Sequence, residues 1–296
     1  MQNVLVPTLN DGQYDFLRLF QIWETVSTAP QGTRFDFSYC TFLRPSAVAF
    51  LGGLARLAQH HNYPVTFAWE TISGAVMANL CQNGFASSFG HPSPGWNGNS
   101  IPFREDRVSA TDPILDYLTD LWLGRGWVQV SPLLKDAIVG KVWEIYTNSF
   151  EHSASSVGVY SCGQYFQAMN QLALSVVDFG MGIPTKIRRY LQSDPRAANL
   201  LSSSCLEWAF QSGNTTSHQP GVARGLGLDL LKEFIRINQG SLEIYSNNAY
   251  AIVDRNGERF QDMNSGFAGT AVLIKLNCDE TLYHFRGEFP NRGEAE

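Results

Sequence analysis

The sequence predicts an α/β protein made of two α/β sandwich domains in series, and three observations lead there. Over residues 1–90, strand-like and helix-like apolar patterns alternate with short links. Over 131–280, a long helical pattern is followed by apolar strands, more helix and more strand. Between them, the stretch GHPSPGWNGNSIPFREDRVSATD (90–112) is rich in Gly, Pro, Ser and Asn and shows no period, as a linker does. The expected division is 1–90 as the first domain, 91–130 as linker and connecting helix, 131–280 as the second domain and 281–296 as a tail. A chain of 296 residues, 44% of them hydrophobic, is long enough to build two cores.

Taken in order, residues 4–7 (VLVP) read as a short strand. Residues 13–28 place Phe16, Leu19, Phe20 and Trp23 at helical spacing. Residues 34–39 (RFDFSY) alternate like a strand, and Pro45 suits the first turn of the helix that follows. Residues 65–69 (VTFAW) are a third strand, and Ser73 is an N-cap candidate for a helix ended by Asn83-Gly84. A short helix is expected over 113–123. Ser131-Pro132 then forms a cap and first turn for a long helix. Strands are expected over 157–162 and 172–179, and a helix over 183–191. The polar segment 212–224 should be a loop, 228–237 a helix, and 241–246, 249–254 and 270–276 strands, with Asn256-Gly257 as a turn. No internal repeat is visible.

Composition narrows the function classes. The net charge is −6 without a basic run, so nucleic acid is not the expected partner. No apolar stretch approaches the roughly 20 residues that cross a bilayer, and no basic-then-apolar leader is visible. The five cysteines are scattered and unpaired in sequence, which suits reduced thiols in a cytoplasmic protein. Neither a G-x-x-x-x-G-K-[ST] loop nor an H-E-x-x-H motif occurs.

Four features carry candidate chemistry. On the long helix, Glu144, Asn148 and His152 recur every four residues, a slowly drifting stripe beside the apolar face of Ile138, Val142 and Ile145. A carboxylate and a carboxamide on one edge suit a base and a metal ligand facing a pocket. Thirty residues after Asn148, an apolar strand delivers Asp178 into the turn Asp178-Phe-Gly180-Met-Gly182-Ile183. A polar loop leads to Arg224-Gly225-Leu226-Gly227 at a helix start. A last strand begins at Gly269-Thr270.

In this order and on these elements, the four features resemble the GHKL ATPases, which have the Bergerat fold. That group includes DNA gyrase B subunits, mismatch-repair ATPases, ninety-kilodalton heat-shock chaperones, histidine kinases and anti-sigma-factor serine kinases. Glu-x-x-x-Asn-x-x-x-His is most similar to the last of these. The resemblance covers 131–276 and implies a mixed sheet covered by helices, with ATP and Mg2+ as cofactors. Glu144 would be the base. Asn148 would hold the metal, and His152 would sit at the pocket edge. Asp178 would accept a hydrogen bond from the adenine amine, with Gly180, Gly182 and Ile183 lining the base and Thr270 beside it. Gly225, Leu226 and Gly227 would cradle phosphates at a helix start, with Arg224 meeting phosphate charge.

The first 90 residues resemble a STAS domain, the fold of anti-sigma-factor antagonists, over FDFSYCTFLRPSAVAFLGGLARLAQHHNYPVTF. Ser46 falls where that family carries a phosphorylatable serine, but Arg44-Pro45-Ser46-Ala47 lacks the family's aspartate and glycine. Ser46 as a helix-start serine satisfying backbone N–H groups is the competing reading. Together the two resemblances imply a regulatory switch. It would hydrolyse ATP slowly or phosphorylate a protein hydroxyl, would act on a protein partner, and could form a homodimer. The alternative is an interaction module in which ATP binding rather than turnover sets the partner surface, and a scaffold that binds no nucleotide is a third.

Overall fold

The structure is a computed structural model that describes residues 1–93, 96, 98–211, 214 and 228–288. It is a mixed α/β protein with a three-stranded parallel sheet and a five-stranded antiparallel sheet. The N-terminal elements are β1 (Gln2–Leu5), α1 (Gln13–Ser27), β2 (Thr33–Asp36), α2 (Pro45–His60), β3 (Val65–Phe67), α3 (Gly74–Gln82) and the short α4 (Phe85–Ser88). Strands β1, β2 and β3 pair in parallel in that order. The helix periodicities are realised within a residue or two, and Pro45 takes the first turn of α2. Ser73 stands at the N-cap of α3, but its side chain makes no capping bond.

The second part comprises β4 (Ser100–Asp106), α5 (Thr111–Asp116) running into a π-turn (Tyr117–Trp122), α6 (Pro132–His152), β5 (Val159–Phe166), β6 (Gln171–Asp178), α7 (Ile183–Tyr190), α8 (Ser202–Phe210), α9 (Asp229–Asn238), β7 (Ser241–Asp254) and β8 (Gly257–Asn277). The sheet order is β4-β5-β6-β8-β7. Every pairing in it is antiparallel, where the sequence led us to expect a mixed sheet. The helix spacing of 132–152 is capped as expected, with the Ser131 hydroxyl accepting the Leu134 N–H at 3.3 Å.

The linker expectation fails over 100–106. Ile101 and Phe103 are two residues apart, yet they enter different cores. The register with β5 shifts between Ile101 and Arg104, so a bulge turns one side chain over, and Pro102 is tolerated on this edge strand. Residues 257–269 were not expected to be strand, but β8 begins at Gly257 and pairs with β7 through Asp254. The two strand candidates 241–246 and 249–254 are one strand interrupted at Asn247.

Alternation along the five-stranded sheet sends side chains to two faces. Leu172, Leu174, Val176, Val272 and Ile274 join a core with α6 and α9, including Ile138, Val142, Leu231 and Ile235. Val177, Ala271, Leu273, Tyr245 and Tyr160 face the other way, into a core with Phe16, Phe20, Phe50 and Leu54 of α1 and α2 and with Phe35 and Phe67 of the parallel sheet. Helices α1 and α2 therefore lie between the two sheets and belong to both. A bidentate pair also joins the units, with Arg56 Nε and Nη2 each 2.8 Å from a carboxylate oxygen of Glu105 on β4.

A polar island lies in this junction. Buried Ser46 donates to the Asp11 carboxylate rather than capping its own helix. Lys275 Nζ lies 2.8 Å from Glu243 Oε1 and 3.9 Å from Asp11 Oδ2, and Tyr250 donates to Glu243 at 3.1 Å. Burial raises the Asp11 carboxyl above its ordinary range, against the pull of Lys275. Ser46 is buried, and its hydroxyl is engaged by Asp11. No helix among the described residues is long and apolar enough to cross a membrane.

Because α1 and α2 cover an apolar sheet face, a fragment beginning at residue 91 should expose it. We expect that fragment to lose the cooperative thermal transition of the whole chain and to bind an apolar dye. An equally sharp transition in the fragment would contradict the shared core.

Candidate functional site

The site is assembled where the C-terminal end of β6 meets the C-terminal half of α6. Helix α6 is fixed by Ile138, Val142 and Tyr146, which are buried, and by a 2.6 Å bond between the Tyr146 and Ser161 hydroxyls. Glu144 and Asn148 lie on its half-exposed edge, about 6 Å apart along the axis. Glu144 pairs with Lys141 at 2.6 Å. The Asn148 carboxamide has no hydrogen-bond partner among the described residues. The side chain of His152 lies outside what the structure describes, as do Arg224, Gly225, Leu226 and Gly227.

Asp178 ends β6 in the alternate set of Leu174 and Val176, so its side chain turns towards α6. It is 2% exposed. Its Oδ1 accepts the Gly180 N–H at 3.0 Å, and its Oδ2 accepts the Ser149 hydroxyl at 3.1 Å. Burial pushes its pKa up to about 7, against the opposing pull of these bonds. Ser149 also has the Ile145 carbonyl at 3.1 Å, so its one hydrogen has two acceptors within reach.

The turn after Asp178 is clamped on both sides. The Met181 N–H donates to the Ser153 carbonyl at 2.7 Å. A β-carbon on Gly180 would overlap that carbonyl, and one on Gly182, whose φ is +75°, would lie 2.6 Å from the Asn247 side chain. Protein atoms fill the β-carbon positions of both glycines, so close packing of the turn requires glycine here. Ile183 opens α7, and its N–H donates to Ser246 Oγ at 2.8 Å. Asn247 accepts from the Thr185 N–H and hydroxyl and donates to the Met181 carbonyl. These two side chains satisfy N–H groups at a helix start that have no partner inside the helix. Thr270 pairs across from Asp178, and its hydroxyl lies 2.9 Å from that of Ser246.

The structure therefore brings together Asp178, Gly180, Gly182, Ile183 and Thr270, with Asn148 adjacent through Ser149. Glu144 stands one turn further back on α6. Four participants were missed from the sequence: Ser149, Ser153, Ser246 and Asn247. Ser149 follows Asn148 directly, and Asn247-Asn248 lies between two strand candidates, a place where a turn-forming side chain could have been sought. Lys186, on α7, is half-buried, and its pKa is pushed down to about 8 by burial.

No protein-family model matches the chain, and no curated protein matches it. Among the described residues, no three His, Cys, Asp or Glu side chains converge as a metal site. A cation held here by Asn148 would need further oxygen ligands from a bound anion.

Between pH 3.8 and about 7 the folded chain holds a proton on Asp178 that the unfolded chain releases, so this group's stabilisation declines as pH rises through that window. Asp178→Asn keeps an acceptor for Gly180 and removes the titration. We expect wild type to lose about 1–3 kcal/mol more than the variant between pH 5 and pH 8 in denaturant melts. Parallel pH profiles would contradict the buried-carboxylate assignment.

Proposed function

We propose that the chain binds ATP with magnesium at the junction of β6 and α6 and uses it as a regulatory switch on a protein partner. In this reading ATP is hydrolysed slowly or its phosphate passes to a protein hydroxyl. The observation that carries the proposal is the buried Asp178 carboxylate, held at a strand end beside the helix that presents an Asn148 amide unengaged among the described residues. An ionised carboxylate there accepts a hydrogen bond from the adenine amine, while guanine offers an acceptor at that place and is disfavoured. Asn148 Oδ1 is a neutral oxygen of the kind magnesium takes, and phosphate oxygens and water would complete the shell. Magnesium, when bound, supplies neutralisation of phosphate charge. Glu144 takes the proton of the attacking water or hydroxyl after parting from Lys141.

The five-stranded sheet with α6 and α9 on one face supports the likeness to the Bergerat fold. Its wholly antiparallel pairing is a departure from the mixed sheet that likeness implies. The parallel β1-β2-β3 sheet with α2 packed on it supports the STAS-like reading of the N-terminal unit. Burial of Ser46 against Asp11 argues that the phosphoacceptor is a different hydroxyl.

A second reading, in which nucleotide binding alone sets a partner surface, is favoured by the Lys141–Glu144 pair, because it occupies the base. The two readings part on one set of variants. Asn148→Ala should weaken magnesium-dependent binding of adenylyl-imidodiphosphate at least tenfold by calorimetry. Glu144→Gln should leave binding within about threefold and abolish release or transfer of label from γ-labelled ATP. Binding without turnover in the unaltered chain selects the second reading, and absence of nucleotide binding overturns both.

A further inference from the structure

Adjacent residues at the end of β6 serve opposite faces of the sheet. Asp178 turns towards α6, and Phe179 turns to the face covered by α1 and α2. The Phe179 ring meets the Phe50 ring of α2 with centroids 5.1 Å apart at 66°. It meets Phe267 at 5.8 Å and Tyr160 at 6.4 Å, both edge-on. One turn beyond Phe50 on α2, Gly53 provides the space for this ring. A β-carbon there would lie 2.5 Å from Phe179 Cε2 and from Tyr160 Cδ2.

The chain on the other side of Phe179 has no slack either. Gly180 is pressed against the Ser153 carbonyl, and the Met181 N–H is bonded to it. Interiors packed to this density transmit displacements instead of absorbing them. A shift of the Phe179 ring therefore bears on the neighbouring peptide units that hold Asp178 and the Gly180 N–H.

We propose that Phe50 and Gly53 of the N-terminal unit are positioning residues for Asp178, so that nucleotide binding and docking of α2 on the sheet are thermodynamically linked. The inference rests on the nucleotide reading of the site. Linkage is reciprocal: a bound nucleotide that fixes Asp178 tightens α2, and a partner that displaces α2 weakens nucleotide binding. The N-terminal unit is then the regulatory input to the site rather than an attached substrate.

Two neighbouring glycines give a matched test. Gly53→Ala drives a methyl group into Phe179 and Tyr160. Gly52→Ala, on the same helix, drives one into Phe103 and crowds Phe85, with no atom of Phe179 among its three nearest neighbours. Adenylyl-imidodiphosphate with magnesium is titrated into each variant of the full chain, and amide exchange at Gly180 is followed by NMR without nucleotide. We expect Gly53→Ala to weaken binding about fivefold or more and to speed Gly180 exchange about tenfold. Gly52→Ala should stay within about twofold in both. Equal effects of the two variants, or no effect of Gly53→Ala, overturn the proposal. If the unaltered chain binds no nucleotide, the proposed function falls, and the exchange at Gly180 alone decides the positioning claim by the same comparison. Should Gly53→Ala fail to fold, Phe50→Leu, which removes the ring edge facing Phe179, takes its place under the same criteria.

Discussion

One carboxylate, Asp178, ties the second half of this protein together. It is nearly without solvent, and it holds the end of β6 to α6 through Ser149 and to its own turn through Gly180. Burial of an acid with no cationic partner among the described residues is costly, and here the cost appears as a proton affinity raised into the neutral range. A purely structural turn would be served as well by asparagine, which carries no charge. That a titratable group stands there instead is the physical reason to look for a ligand that uses the charge.

The rest of the architecture holds this group in place. The five-stranded sheet has helices on both faces, α6 and α9 on one and α1 and α2 on the other. The second layer joins the N-terminal unit to the sheet through a continuous aromatic core. The island of Ser46, Asp11, Lys275, Glu243 and Tyr250 adds direction to that packing. Sliding α2 along the strands would separate Ser46 from Asp11, leaving buried polar groups unpaired. Apolar burial drives the docking, and the polar contacts select one register for it.

The legible parts of the sequence were those with a strong period or a firm cap. The α1 stripe of Phe16, Leu19 and Phe20, the Pro45 start of α2 and the Ser131-Pro132 start of α6 all stand as read. Strand β4 was hidden because its bulge breaks the alternation of Ile101 and Phe103 and because Pro102 reads as a breaker. The first half of β8, ERFQDMNSGFAG, is polar and becomes strand by pairing with β7, a long-range effect that no local pattern reveals. Helix α8 was not assigned from the sequence; it opens on three serines, yet Cys205, Leu206 and Phe210 bury one face of it. In the candidate site, the strand-end position of Asp178 and the shared helix edge of Glu144 and Asn148 were legible in the sequence. The partners of Asp178 were not, because a helical serine gives no sign of which acceptor it will meet. The glycines were found, but the neighbours that their β-carbon positions meet, Ser153 and Asn247, were not.

The most direct measurement is a carbon-13 titration of the Asp178 side-chain carboxyl, with and without magnesium and adenylyl-imidodiphosphate. The account predicts a midpoint near 7 in the free protein, lowered by about one pH unit or more when the nucleotide is bound, because the adenine amine favours the ionised form. A midpoint in the ordinary carboxylate range, or one that nucleotide leaves unmoved, would contradict it.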